Sequence, residues 1–272
     1  MGAAGENRKT WHYLDPMRMT QTSKPAFSVK LAETQTELWA AQRLRYTVFV
    51  EELGGGGALV DHDSRLEQDR FDPFFDHLLL IDEVKQDVVG VYRLMRRDQA
   101  EAAGQFYSAD EYDLSVLLRS DRNLLELGRS CLHREYRGGM AMFHLWSGLA
   151  RYIKEHRIDV LFGVASFHGT EIAALTEALS LLHHRHLAPA DLRVQAQAAS
   201  FQPMDLLAME QLDIRRAMLS VPALIKAYLR LGGFVGDGAF IDHDFNTTDV
   251  CLILDTARMN DRQARIYQGP AG

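Results

Sequence analysis

The apolar positions of the chain recur with two periods, and the switches between them divide it into elements. Phe27-Ser28-Val29-Lys30-Leu31-Ala32 alternates and predicts a first strand. Leu38, Ala41, Leu44, Arg45, Val48 and Phe49 then follow at helical spacing. Thr34 or Thr36 can cap that helix, and Glu37 is placed to close a capping box on Thr34. The helix ends before Gly54-Gly55-Gly56-Gly57, a segment that reads either as a lid or hinge or as a loop tip. Residues 61–76 are acidic and irregular. His77 to Asp82, a turn at Lys85-Gln86-Asp87, and Val88 to Met95 predict a β-hairpin.

After a polar stretch with short helical pieces (97–123), the chain reaches its organising segment, Leu124 to Trp146. It runs as an apolar strand with one acid, Glu126, through a basic turn holding Gly138 and Gly139. It continues as a helix carrying Met142, Phe143, Trp146, Leu149, Ala150 and Ile153. The first-turn N–H groups of such a helix lack intrahelical partners, and its dipole is positive at that end. A phosphate fits there. Asp159 to Phe167 is a continuous apolar run, as in a fully buried strand. Thr170 opens a helix through Leu182. More helix follows within 205–231, with Pro222 in a first turn and Gly232-Gly233 as its end. Phe234 to Ile241 and Thr248 to Leu254 predict two closing strands. The order predicts an α/β chain, one mixed central sheet with helices on both faces over residues 26–272, preceded by a mobile arm over 1–25.

Composition narrows the function. The 272 residues are 47% hydrophobic, enough for a sizeable core, with no run of about 18 apolar residues that would span a membrane. The N-terminus has no apolar signal core, and Cys131 and Cys251 lie in apolar runs as buried free thiols; both point to a cytoplasmic location. A formal charge of −7 argues against general nucleic-acid binding. His183-His184-Arg185-His186 has no second ligand cluster at zinc spacing, so no metal is expected. Ser130 lacks the setting of a nucleophile elbow.

The strand, basic turn and helix resemble the acyl-thioester site of the GNAT acyltransferase superfamily. That family's usual turn, Arg/Gln-x-x-Gly-x-Gly/Ala, stands here as Arg137-Gly138-Gly139-Met140-Ala141-Met142. Met140 and Met142 depart from the pattern; coenzyme A needs a close pyrophosphate cradle, whereas one phosphate on a carrier-protein arm demands less. Arg45-x-x-x-Phe49, Glu67-x-Asp69-x-x-Asp72, Arg93-Leu94 and Glu126-x-x-Arg129 are similar, in the same order, to the acyl-homoserine-lactone synthases. RYTVFVEE (45–52), LELGRSCLHREYRGG (125–139) and LFGVASFHG (161–169), with the C-terminal IDHDFNTTDVCLILD, resemble the ornithine-acyl carrier protein N-acyltransferases of ornithine-lipid synthesis.

The resemblance implies transfer of a 3-hydroxyacyl group from the 4'-phosphopantetheine thioester of acyl carrier protein to the α-amine of ornithine. The alternatives are glutamine or another amino acid as acceptor, homoserine-lactone synthesis from S-adenosylmethionine, or an acyl-carrier-binding module without turnover. It implies Glu126 as base, with Arg129 and Ser130 beside it. It places the acceptor at Arg45, Phe49, Glu67, Asp69, Asp72 and Arg93, with an arginine on the carboxylate and the acids on ammonium groups. It places acyl-pantetheine against Cys131, Leu132, His133, Arg137, Gly138, Gly139, Met140 and Ala141. Glu126 and Arg129, three apart, share a face only if the strand bulges near Gly128. Arg134, Arg137, Arg151, Lys154 and Arg157 offer a basic surface to an acidic carrier protein. An amphiphilic product further implies peripheral contact with the inner membrane face.

Overall fold

The two periods of the sequence become one mixed sheet with helices against both faces. The computed structural model describes residues 25–259. All but the last residue of the expected arm, and the chain after Met259, lie outside the described residues. The strands are β1 (Phe27–Leu31), β2 (Asp76–Asp82), β3 (Asp87–Arg96), β4 (Tyr112–Asp113), β5 (Leu124–Leu132), β6 (Val160–His168), β7 (Gln195–Ala196), β8 (Phe201–Gln202), β9 (Phe234–Val235), β10 (Ala239–Asp242) and β11 (Thr247–Asp255). The helices are α1 (Gln35–Arg45), α2 (Arg97–Ala103), α3 (Ser115–Leu118), α4 (Ala141–Glu155), α5 (Ile172–His186), α6 (Ile214–Ser220) and α7 (Ala223–Arg230). The nine-stranded sheet runs β1-β2-β3-β5-β6-β11-β10-β8, with β9 also on β11. Among the described strands only β5 and β6, joined through α4, pair in parallel.

The capping box forms as read: Thr34 Oγ1 accepts from the Glu37 N–H (3.3 Å), and Glu37 Oε2 accepts from the Thr34 N–H (3.2 Å). Beyond α1 the helix widens into a π-helix over Tyr46–Glu52, which the periodicity did not reveal. A π-segment inserts extra backbone per turn and often marks a functional site. Here it carries Phe49.

The two faces of the sheet hold different things. On one, α4 buries Leu145, Trp146, Leu149 and Tyr152 with Leu78, Leu80 and Leu94 of the hairpin. On the other, α1 covers Leu79, Val91 and Cys131. Further along that face, Phe106, Tyr112, Leu114 and Leu117 pack on Leu124, Phe162 and Cys251. A band of charged side chains fills the space between these two clusters.

Two expected elements change. The helix expected from Thr170 starts at Ile172, after Gly169 takes a left-handed φ of 92°, and it runs to His186. The histidine run is therefore its last turn, where the helix dipole favours positive charge. The expected strand Phe234 to Ile241 splits into β9 and β10, which pair with different parts of β11. The Tyr112 hydroxyl fills the gap, 3.0 Å from Gly238 O and 2.9 Å from Asp249 O.

Candidate active site

The site begins where two parallel strands part. β5 and β6 pair at Leu124↔Val160, Leu125↔Leu161 and Glu126↔Phe162, and the ladder stops there while both strands continue six residues further. Gly163 marks the fork: its φ is 157°, and a Cβ there would lie 2.1 Å from the Leu127 carbonyl oxygen. On the far side of β5 the register with β3 shifts between Val91 and Arg93, and Arg129 takes a φ of 49°. That bulge turns Glu126 and Arg129 to one face, the condition set by their spacing, and both reach Tyr107.

A cavity of about 380 Å³ occupies the fork. Gly128, Arg129 and Ser130 line it from β5, and Val164, Ala165, Ser166 and His168 from β6. Pro222 and Leu224 close it on the α7 side. Tyr107, Glu111, Asp242, Thr247 and Asp249 close it on the opposite face. Phe49, Leu53, Gly55 and Phe245 form its rim, so the tetraglycine segment lies against the cavity. One end is thus apolar and the other acidic. Among the described residues, Arg129 supplies the guanidinium in the lining.

Several expected site residues lie elsewhere. Arg45 and Arg93 are fully buried, and Glu67 and Asp72 nearly so. Arg45 bonds Glu67 and, at 2.7 Å, Asp72; Arg93 Nη1 lies 2.7 Å from both Asp69 and Asp72. Arg129 Nε adds a bond to Glu67 at 3.0 Å. Burial alone would raise the Glu67 carboxyl, but the guanidinium groups of Arg129, Arg45 and Arg93 hold it down at about 2. Burial opposes ionisation of Asp72 too, and Arg45 and Arg93 overcome it to keep that carboxyl below the usual range. The opposite charges neutralise one another, while Arg45 Nη2 and Arg93 Nε and Nη2 are buried with no hydrogen-bond partner. Arg45, Glu67, Asp72 and Arg93 form an internal ion cluster that braces α1, the acidic loop and β3, and none of the four lines the cavity.

Glu126 lies beside the cavity rather than in its lining. Its side chain is 1% exposed and does not line the cavity. It accepts from the N–H groups of Tyr107 (2.7 Å) and Ser108 (2.6 Å) and from the Ser108 hydroxyl. Burial pushes its carboxyl up to about 7 against those bonds. In this geometry it holds the segment that carries Tyr107 and Glu111.

Of the residues expected near acyl-pantetheine, Cys131 and Leu132 are buried in the cores. Burial raises the Cys131 thiol to about 12, which keeps it protonated and unsuited to accept an acyl group. Past Glu126 the β6-facing backbone edge of β5, not these side chains, borders the fork. The turn has the expected form. The His133 N–H donates to Val89 O (2.9 Å), and Arg137 donates to Leu132 O (3.0 Å) and Glu52 (2.7 Å). Gly138 has a φ of 78° with open space around it, Gly139 is exposed beside it, Met140 is 58% exposed and Ala141 starts α4. Arg134 and Arg137 stand at one end of α4, with Arg151, Lys154 and Arg157 near the other. The basic surface is therefore two groups about 15 Å apart along the helix.

The sequence reading missed the acidic end. Glu111, Asp242 and Asp249 come from three separate elements, and an oxygen of each lies within 4.8 Å of the others. Among the described residues this is the group with the donor spacing of a cation site. Burial, together with repulsion from Asp249 and Asp242, holds Glu111 well above the usual carboxylate range. Burial raises Asp249 to about 6. The one available signal was the acid-rich turn Asp242-His243-Asp244 leading to Asp249, an acid within an apolar strand.

A forked parallel pair, a glycine turn into a helix and a cavity spanning the fork define a GNAT-type acyltransferase. A model of the acetyltransferase (GNAT) domain matches residues 44–147. A CoA-dependent acyl-homoserine lactone synthase solved with MTA shares the fold, with a TM-score of 0.51 at 13% identity over 89% of this chain and 88% of that one. The chain is 56% identical to an L-ornithine N(alpha)-acyltransferase of Rhodobacter capsulatus over 89% of its own length and 95% of that protein. It is 45% identical to one from Brucella abortus over 90% of each. The chain belongs to the L-ornithine N(alpha)-acyltransferase family.

Proposed function

We propose that the chain moves a 3-hydroxyacyl group from acyl carrier protein to the α-amine of ornithine, giving a lyso-ornithine lipid. The observation that carries this reading is a single cavity joining the forked strands to an acidic end, in a chain whose relatives are named for ornithine acylation. The reaction breaks the thioester C–S bond, forms an amide C–N bond, releases the pantetheine thiol and expels one proton from the α-ammonium. Charge developing on the thioester oxygen is taken up by backbone N–H groups around Ser130, on the stretch of β5 past its ladder with β6. Val164, Ala165, Pro222 and Leu224 offer apolar surface to the acyl end. The α-ammonium must lose its proton before attack, and His168 lines the cavity as a proton acceptor.

Carrier protein as donor is supported by the open turn at Gly138–Met140 and the exposed basic groups around α4. Thiol release from 3-hydroxypalmitoyl carrier protein should exceed that from 3-hydroxypalmitoyl-CoA at equal concentration; faster release from the CoA thioester would reverse the donor assignment. Among the described residues no helix is long and apolar enough to cross a membrane. We place the chain in the cytoplasm, peripheral on the inner membrane face, because its product is amphiphilic and Leu219 is 74% exposed. Sedimentation with anionic vesicles at low salt tests this, and protein left wholly in the supernatant counts against it.

A further inference from the structure

Glu111, Asp242 and Asp249 make an arrangement that is costly on its own. Glu111 and Asp249 are 5% and 4% exposed. Glu111 Oε2 and Asp249 Oδ1 are buried with no hydrogen-bond partner, and both side chains line the cavity. Asp242 spends one oxygen on the N–H groups of Asp244 (2.8 Å) and Phe245 (3.0 Å) in its own turn. Among the described residues no lysine, arginine or histidine forms an ion pair with any of the three. The nearest guanidinium that acts on them, Arg129, is committed to Glu67, Asp69 and the Tyr107 hydroxyl. Like charges this close in a poorly solvated space repel strongly, so the group calls for a cation from outside the chain.

We propose that Glu111, Asp242 and Asp249 form the receptor for the side-chain ammonium of the acceptor and so select a dicationic amino acid over a neutral one. This rests on the reading of the chain as an amino-acid N-acyltransferase. A primary ammonium has three N–H donors and no acceptor, which matches three converging carboxyl groups. Arg129 lies in the same cavity, its guanidinium 5.0 Å from the Phe245 ring centre, with Phe245 leading back to Asp242. The cavity thus offers an anion group for the side-chain ammonium of ornithine. The raised Asp249 and Glu111 carboxyls agree with a site whose charges await a partner.

The test uses the full chain, carrier-protein thioester, and two acceptors of one shape: ornithine and norvaline, which lacks the δ-ammonium. A site built to bond a polar group rejects an analogue lacking it by about 10⁴–10⁵-fold at best, so wild type should favour ornithine by about 10²-fold or more in kcat/KM. In Glu111→Gln and Asp249→Asn, ornithine should lose far more than norvaline, mostly through KM, and the preference should shrink by at least about tenfold. Independently of turnover, ornithine at millimolar concentration should raise the wild-type Tm and norvaline should not. The proposal is overturned if wild type uses both acceptors equally, if the variants lose both in parallel, or if ornithine gives no thermal shift. It is also overturned if EDTA abolishes turnover and Mg²⁺ restores it, since the three acids would then hold a metal. No thiol release with any amino acid would instead defeat the acyl-transfer reading, and the thermal shift would still decide the receptor.

Discussion

Replacing Asp72 with asparagine removes one charge from a cluster that has almost no solvent to compensate it. Arg45, Arg93 and Arg129 face Glu67, Asp69 and Asp72, and Asp72 serves two of the arginines at 2.7 Å through one oxygen. Its other oxygen accepts from Gln42 Nε2 at 2.8 Å. Asparagine keeps the shape, but it leaves Arg45 and Arg93, both fully buried, short of a counter-charge. It also risks setting an amide donor against the Gln42 donor. Breaking a buried pair by removing one partner costs about 3–5 kcal/mol. At about 2–4 °C per kcal/mol for a chain of this size class, the melting temperature should fall by roughly 10 °C. The Asp72 carboxyl is held below its ordinary range, so its contribution is fully present at pH 7 and is lost only as pH falls through the folded value. Thermal unfolding at pH 7, with KM for the acceptor measured well below the transition, separates the two possible roles. Scaffold predicts the lower Tm with KM little changed. An unchanged Tm with KM raised about tenfold would show that Asp72 touches the acceptor, and the reasoning about internal neutralisation would fail.

Three further outcomes follow from the same geometry. Glu126→Gln should lower the Tm through loss of its bonds to the 107–108 segment while turnover of the folded variant falls less than about tenfold; a loss of about 10²–10⁴-fold at unchanged Tm would restore it as a base. Gly163→Ala should destabilise the chain by about 1–3 kcal/mol or more, since its Cβ would meet the Leu127 carbonyl at 2.1 Å; a wild-type urea midpoint would contradict this. Asp249, raised from 3.8 to about 6, holds a proton in the folded state that the unfolded chain has released. Its contribution is therefore present below the unfolded-chain value and lost as pH rises through the raised folded value. The Tm of the substrate-free chain should drop between pH 5 and 7.5 and drop less in Asp249→Asn; equal slopes would refute it.

The elements that carry the site were legible because their signals are local. The capping box at Thr34, the hairpin, and the β5-turn-α4 unit all follow from residues within a few positions of one another. The linear motifs also named the right companions: Arg45, Glu67, Asp69, Asp72, Arg93 and Arg129 do meet in space. What the sequence could not express was their mutual pairing. A buried arginine and an arginine waiting for a carboxylate are written the same way, and only the burial and ion pairs of Arg45 and Arg93 separate them. The acidic end was hidden for a different reason. Glu111 and Asp249 lie 138 residues apart in the chain, and no spacing rule joins them before the sheet places β11 next to β6. The bulge at Arg129 and the π-helix carrying Phe49 are departures from the periods on which the reading rested.

The central claim is that this chain acylates ornithine, and thiol release measures it directly. With 3-hydroxypalmitoyl carrier protein in excess, ornithine should liberate free pantetheine thiol and yield a product acylated on the α-nitrogen by mass spectrometry. Glutamine, glycine and norvaline should liberate far less. Release that is independent of added amino acid, or that is fastest with an acceptor bearing no side-chain ammonium, would contradict the account.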